Sequence, residues 1–228
     1  ETQDFASRKI AEAIAKRLDE SDPPEFLIIN PRHADGWLEQ QVMDSARCRL
    51  VESLKARDHA DRFRIMVPYT SGGTPIYVHA KLTIIDDEVV RVGSANMNNR
   101  SMGIDSECDV FIDSTRPANR HITDQITRIR HSLLAEHCGL HSEDIGDLLK
   151  EHGSMAAMID ATRREGRHLA HLPIDELNDV EEFIADSAVL DPERPEEMLE
   201  PIEKRGLFRR TGSLLRPSEL KKRIRRRK

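Results

Sequence analysis

The sequence predicts an α/β fold: a mixed β-sheet flanked by helices, with a helical extension at its C-terminal side. Three observations carry this. Short apolar or alternating runs at residues 26–29, 63–67, 76–85 and 89–92 read as strands, helix-periodic stretches lie between them, and beyond about residue 141 only helical patterns remain. With 228 residues, 38% of them hydrophobic and 33% charged, the chain is polar but far from disordered in composition. It has room for one large domain or a domain with an appendage.

Residues 4–18 read as a helix, with Phe5, Ile10, Ala13, Ile14 and Leu18 near helical spacing, stopped by Pro23 and Pro24. Phe26 to Ile29 is wholly apolar, as suits a strand buried on both faces of a sheet. A second helix is expected over residues 36–57, where Leu38, Val42, Ala46, Leu50 and Leu54 recur every four residues behind an N-cap at Asp35. Residues 63–67 form a strand ended by Pro68, and Ser71, Gly72, Gly73 and Pro75 break the chain. Residues 76–85 then alternate, with Val78, Ala80, Leu82 and Ile84 on one face and His79, Lys81 and Thr83 on the other. Asp86, Asp87 and Glu88 turn the chain into a return strand at residues 89–92, giving a hairpin. A strand over 108–112 and a helix striped by Ile122, Ile126, Ile129 and Leu133 follow, then helices over 142–152, 154–168 and 179–188.

The net charge of −6 conceals an asymmetry. Residues 203–228 hold twelve Lys or Arg against two Glu, a net of +10, which leaves −16 on residues 1–202. No run approaches the ~20 apolar residues of a spanning helix. Cys48, Cys108 and Cys138 form no C-x-x-C pair, so they read as small buried hydrophobes in a reducing compartment rather than a disulfide framework or zinc site. The few aromatic residues, 4% of the chain, are thin material for stacking nucleic-acid bases, and an acidic domain repels phosphate backbones. The sequence opens at Glu1 without an initiator methionine, and is expected to be a piece of a longer protein.

One expected strand face presents His79 and Lys81 together, because residues i and i+2 project the same way. After the return strand comes a tight turn, Gly93-Ser94-Ala95-Asn96, and Glu107 lies downstream. These residues supply a nucleophile or proton carrier, a fixed cation, neutral hydrogen-bond donors and a spare carboxylate. Attack on an anionic phosphodiester needs that set: Lys81, Ser94 and Asn96 bind phosphate oxygens while His79 does the covalent or proton-transfer work. No metal and no cofactor is called for. Asp86 at the hairpin turn and Gly93 are given structural roles. The other nine histidines, among them His137 and His168, read as surface residues.

The stretch VHAKLTIIDDEVVRVGSANMNNRS resembles the H-x-K-x(4)-D-x(6)-G-S-x-N signature of the phospholipase D superfamily, with His79, Lys81, Asp86, Gly93, Ser94 and Asn96 all at the required spacing. The continuation to SMGIDSECD resembles the second motif of the bacterial members that cleave or transphosphatidylate phospholipids. The likeness reaches FLIINPRHADGWLEQQVMDSAR upstream and IRHSLLAEHCG downstream, about residues 25–140 in all. It implies a phospholipase D-like C-terminal catalytic lobe over residues 1–140; beyond it, helical patterning and charge give an acidic helical extension over 141–202 and a flexible basic tail over 203–228. It further implies a bilobal fold in which two motifs meet at one site. One His attacks phosphorus to give a phosphohistidine, the other protonates the leaving alcohol, and water or a second alcohol releases the product. On that pattern Glu107 hydrogen-bonds the His from behind, and His79, in a second-half motif, is the general acid.

The sequence departs from the pattern in carrying one motif: no other histidine begins H-x-K. Either an N-terminal lobe with the first motif belongs to the same polypeptide, or a second copy completes the site as a homodimer. The reading is therefore a phosphodiesterase that hydrolyses or transfers the headgroup of glycerophospholipids, inactive alone unless dimeric. The alternatives are a homodimeric single-motif nuclease, a phosphatidyltransferase of the cardiolipin or phosphatidylserine synthase kind, and a scaffold with an idle motif. The basic tail suits a phospholipid or membrane surface better than nucleic acid, which places the protein in the cytoplasm on the membrane's periphery.

Overall fold

The computed structural model describes residues 1–33 and 47–173. Along the chain run α1 (Arg8–Leu18), β1 (Phe26–Ile29), helical residues 47–55 (α2), β2 (Phe63–Tyr69), β3 (Leu82–Ile85), β4 (Val89–Gly93) and α3 (Asn99–Gly103). After them come β5 (Asp109–Asp113), a 3-10 helix (Pro117–Ile122), α4 (Thr123–Cys138), α5 (Ile145–His152), α6 (Met155–Thr162) and β6 (His168–His171). The expected mixed α/β architecture holds, as two three-stranded sheets flanked by helices. In the first, the order is β1-β2-β6, with β1 and β2 parallel and β6 antiparallel. The second, β3-β4-β5, is antiparallel throughout.

The first sheet is covered on both faces, which explains why β1 is wholly apolar and residues 63–67 are apolar apart from Arg64. Ile28, Phe63, Ile65 and Val67 pack with Ala11, Ile14 and Leu18 of α1 and Val51 and Leu54 of α2. Ile29 and Met66, one residue out of phase, pack on the other face with Leu134, Cys138, Ile145, Met158 and Ile159 of α4 to α6. Each large aliphatic side chain fully buried in this way contributes about 1.5–3 kcal/mol of transfer free energy.

An extended segment joins the sheets. Thr2 N donates to Ile29 O at 3.0 Å beside the end of β1, while Glu1 N donates to Leu82 O and Leu82 N to Glu1 O at 2.8 and 2.9 Å beside the start of β3. Phe5 makes a parallel bridge to Met97 and is fully buried. The expected helix over 4–18 therefore starts only at Arg8, behind the N-cap Ser7. Phe5 sits in the core from the non-helical segment ahead of α1, and it is out of helical phase with Ile10 and Ile14.

Several other expectations are corrected. The first sheet's β2 runs through Pro68, which pairs with Leu169 of β6 and whose carbonyl accepts from Ile76 N at 2.8 Å. Pairing with β1 has already ended at Met66, so the missing N–H breaks no bond on that side. The strand expected over 76–85 is laddered only at Leu82–Ile85. On α4 the buried stripe is Ile126, Leu134, Ala135 and Cys138, with Ile129 exposed. The helix expected over 154–168 ends at Thr162; Gly166 has φ +108° and the chain re-enters the sheet as β6. Ile145 of α5, Met158 and Ile159 of α6 and Leu169 of β6 join the core on the second face of the first sheet. Of the cysteines, Cys48 and Cys138 are buried, the Cys138 thiol pushed up to about 11 by burial, but Cys108 is exposed. His168 stacks on Tyr69 and His137 Nε2 lies 2.5 Å from Glu1 Oε1, so neither is a plain surface histidine. The expected helix over 179–188, the first part of that over 36–57, most of the acidic extension and the basic tail lie outside the described residues.

The β3–β4 hairpin is pinned at its tip. Asp86 and Asp87 take φ of +50° and +55°, the left-handed conformation that short polar side chains tolerate in such turns. Arg130 of α4 grips Asp87 through two hydrogen bonds of 2.5 and 2.6 Å, which holds the Asp87 carboxyl below the usual carboxylate range. The pair is about three-quarters buried, so it is worth more than an exposed one. Arg130→Ala is expected to cost about 1.5–3 kcal/mol at neutral pH. Because the folded pKa of Asp87 is depressed, this contribution is present above the unfolded value of about 4 and is lost as pH falls through the folded one. Urea unfolding of both proteins against pH checks it: the gap between their midpoints closes in acid.

Candidate active site

The segment from Ile76 to Lys81 runs outside the ladder, and this sets how its side chains are used. His79 is exposed, while Lys81 is buried, with 7% exposure. The alternation expected over 76–85 thus breaks between Val78 and Lys81. Lys81 does not simply share a face with His79: its ammonium folds back to donate to the His79 carbonyl at 2.7 Å and to Gln3 Oε1 at 2.8 Å. Two of its three N–H groups are so engaged, leaving one for a ligand. Burial pushes the Lys81 pKa below its ordinary value, and the nearby Glu107 carboxylate works in the opposite direction. The His79 ring lies against Tyr77, with centroids 6.4 Å apart and planes 24° from parallel.

The second half of the motif is brought to the first by β4. Gly93 N donates to Lys81 O at 3.1 Å, which sets the Gly93–Asn96 turn directly beside the His79–Lys81 segment. Only glycine fits here. A Cβ on Gly93 would lie 2.6 Å from Cys108 O, 2.7 Å from Asp109 Cα and closer still to Asp109 Oδ1. The turn is held from the sheet side by Arg91, whose guanidinium donates to Ala95 O at 2.7 Å and to Asp109 Oδ1 at 2.9 Å. From the other side it is held by the segment at residues 1–5. Asn96 Oδ1 accepts from Asp4 N at 3.3 Å, and Met97 N donates to Thr2 Oγ1 at 3.2 Å. Asn96 therefore spends its acceptor on the scaffold, and among the described residues its Nδ2 has no partner. Asn98 caps α3 by accepting from Ser101 N and donates to Asp4 Oδ2, both at 2.8 Å.

Ser94 and Glu107 meet each other rather than His79. Ser94 Oγ donates to Glu107 Oε2 at 2.5 Å and accepts from Cys108 N at 2.9 Å. The hydrogen bond expected from Glu107 to the imidazole is not made, and among the described residues the His79 ring has no hydrogen-bond partner. The geometry thus gathers Lys81, Ser94, Asn96 and Glu107 with the His79 backbone, and Asp86 stays in the hairpin turn. Arg100 pairs with Asp105 at 3.1 Å, beside the site. Among the described residues no cluster of three His, Cys, Asp or Glu side chains is placed to hold a metal ion, and no helix is long and apolar enough to cross a membrane.

A family model described as phospholipase D matches residues 1–183. The chain belongs to the phospholipase D family. Among its relatives is phospholipase D delta of Arabidopsis thaliana, 43% identical over 70 residues, which is 28% of this chain and 8% of the relative. Phospholipase D zeta 2 of the same plant is 38% identical over 79 residues, 31% of the chain and 8% of the relative. Phospholipase D alpha 1 of Spuriopimpinella brachycarpa is 39% identical over 69 residues, with coverage of 28% and 8%. The chain spans less than a tenth of the length of these relatives. They are plant proteins and lend no support to the bacterial character expected from the flanking residues.

Sequence reasoning missed the contribution of residues 1–5. Thr2, Gln3 and Asp4 each bond a motif residue or its neighbour, and Asn30 holds that segment by donating to Thr2 O at 2.7 Å. Buried polar residues on an extended segment leave no periodic signal. The turn's dependence on a bare Gly93 is testable: Gly93→Ala is expected to destabilise the fold by about 1–3 kcal/mol, since the clash is partly with backbone. Thermal melting of the variant against the parent measures it.

Proposed function

We propose that this chain supplies one half of a phosphodiester-cleaving site of the phospholipase D type, hydrolysing or transferring the headgroup of glycerophospholipids through a phosphohistidine. The observation that supports it most is the 3.1 Å bond from Gly93 N to Lys81 O, which sets the two halves of the motif side by side. Around that bond one N–H of Lys81 and the amide of Asn96 are left for phosphate oxygens, and the His79 ring stands exposed beside them.

The reaction needs a second histidine, from an N-terminal lobe of the same polypeptide or from a second copy of this chain. That histidine attacks phosphorus; the bond from phosphorus to the headgroup oxygen breaks, and His79 gives its proton to the leaving alcohol. Water then attacks the phosphohistidine, the phosphorus–nitrogen bond breaks, and His79 takes the proton released. An alcohol in place of water gives transfer by the same steps. Lys81 and Asn96 stabilise the charge that builds on the phosphoryl oxygens. Residues 203–228, with a net charge of +10, attract anionic headgroups at about 1 kcal/mol per Lys or Arg close to the surface, which brings the enzyme to the cytoplasmic face of its substrate membrane.

In an assembly with both motifs present, His79→Ala is expected to lower turnover of a phosphatidylcholine vesicle substrate by about 10²–10⁴-fold. The melting temperature should not move, since the ring is exposed. Wild-type turnover in that variant overturns the reading. Light scattering of the chain alone separates the two sources of the second histidine: an active dimer assigns it to a second copy, an inactive monomer to another lobe.

A further inference from the structure

We propose that Gln3 is a positioning residue of this site, its carboxamide tying the Lys81 ammonium to the Tyr77 ring that lies against His79. The proposal rests on the phosphodiester reading for its purpose, though its geometry stands apart from it. Gln3 Oε1 accepts from Lys81 Nζ at 2.8 Å and Gln3 Nε2 donates to Tyr77 OH at 2.7 Å. The amide's polarity is thereby fixed, because turning it over would set an N–H against the ammonium.

Gln3 projects from a backbone with little freedom. Its neighbours Thr2 and Asp4 are 2% and 6% exposed, and Asn30, fully buried, donates to Thr2 O at 2.7 Å and Gln3 O at 3.3 Å. Arg47 holds Asn30 in turn through Asn30 Oδ1. The amide projects from this hydrogen-bonded segment, half-buried itself, and reaches the rim where Tyr77 is 44% exposed.

Two consequences follow. Lys81 is oriented by neutral oxygens, those of Gln3 and of the His79 backbone, so its charge is not spent on a carboxylate in direct contact and stays available to an anionic phosphate. And His79, whose ring has no hydrogen bond among the described residues, takes its orientation from the Tyr77 ring, which Gln3 holds by the hydroxyl. One side chain thus bonds both the cation and the ring that lies against the imidazole. Glutamate at this position would still accept from both partners but would form an ion pair with Lys81; leucine would hold neither.

Nuclear magnetic resonance of the 228-residue chain tests the geometry without turnover. The parent should show cross-relaxation between the Tyr77 and His79 rings and slowed exchange of the Lys81 ammonium protons. Gln3→Leu should lose both, with the remaining amide spectrum unchanged, and Gln3→Glu should keep both. Tyr77→Phe, which removes the hydroxyl at an exposed position, should weaken the ring contact even if Gln3→Leu fails to fold. Both ring contact and slowed exchange persisting in Gln3→Leu, or an undiminished ring contact in Tyr77→Phe, overturns the proposal. In the assembly with both motifs, Gln3→Glu is expected to lower kcat about 10-fold or more with KM changed less than 3-fold, because the lost charge is needed as the phosphoryl oxygens gain negative charge. An unchanged kcat there removes the catalytic purpose of Gln3. If the parent assembly turns over no phosphodiester at all, the functional reading fails while the resonance experiment still decides the placement of Gln3.

Discussion

Two three-stranded sheets that share no strand ladder are joined through the extended backbone of residues 1–5, and the candidate site depends on that wedge. On one side Thr2 bonds the end of β1; on the other Glu1 bonds the start of β3. Lys81 immediately precedes β3 and Gly93 ends β4, so residues 1–5 help to set the motif relative to the well-packed first sheet, together with Val78 in the core on that sheet and the Arg130–Asp87 pair at the hairpin tip. The first sheet supplies rigidity through its two apolar faces, and the wedge transmits it.

A polar wedge in a protein interior is a demanding solution. Thr2, Asp4, Asn30 and Asn98 are all under 9% exposed, and each buried donor or acceptor left unpaired costs about 1–3 kcal/mol. Here the groups satisfy one another: Thr2 Oγ1 donates to Asp4 O at 2.8 Å, Asn98 donates to Asp4 Oδ2, and Asn30 donates to Thr2 O. The return for that closure is orientation. Apolar contacts tolerate sliding, whereas a chain of hydrogen bonds admits one register. Asn96 and Met97, at the far end of this network, are held against Thr2 and Asp4, and the Arg91–Asp109 pair holds the same turn from the sheet. The turn is thus fixed between two independent sets of bonds.

The first sheet and the motif were legible in the sequence for different reasons. Phe26–Ile29, and residues 63–67 apart from Arg64, are apolar because both faces of their sheet are covered, and that leaves a plain mark. Gly93 was legible as part of a spacing, and the close approach of Cys108 and Asp109 gives the spacing its physical reason. Residues 4 and 5 were misread because Phe5 was counted with the apolar positions of α1, although it stands about 140° from Ile10 and about 180° from Ile14 around a helix, out of phase with both. His79 and Lys81 were assigned one face because alternation assumes a ladder. Without a ladder partner upstream of Leu82 the backbone is free to turn, and Lys81 turns inward. Lost too was the partner of Glu107: a carboxylate downstream of a motif can reach either the serine or the histidine, and spacing does not choose between them.

Inward-turned Lys81 gives the site its electrostatic character. A buried ammonium is disfavoured as a charge, and here burial lowers its pKa while Glu107, through space, opposes the shift. An anion that reaches the remaining N–H adds to the effect of Glu107, so binding it and keeping Lys81 protonated reinforce each other. The cost of desolvating the ammonium has been met by folding and is not charged again to the ligand, which is the sense in which such a site is preorganised. Ser94 completes the logic from the other side. Its hydroxyl proton is already given to Glu107, so an incoming phosphate oxygen competes with a carboxylate for that donor and meets Lys81 and Asn96 first. On the proposed reading, one cation, one free amide and a carboxylate beside them suit a singly charged phosphodiester better than a doubly charged phosphomonoester, because every additional unit of negative charge would be placed next to Glu107.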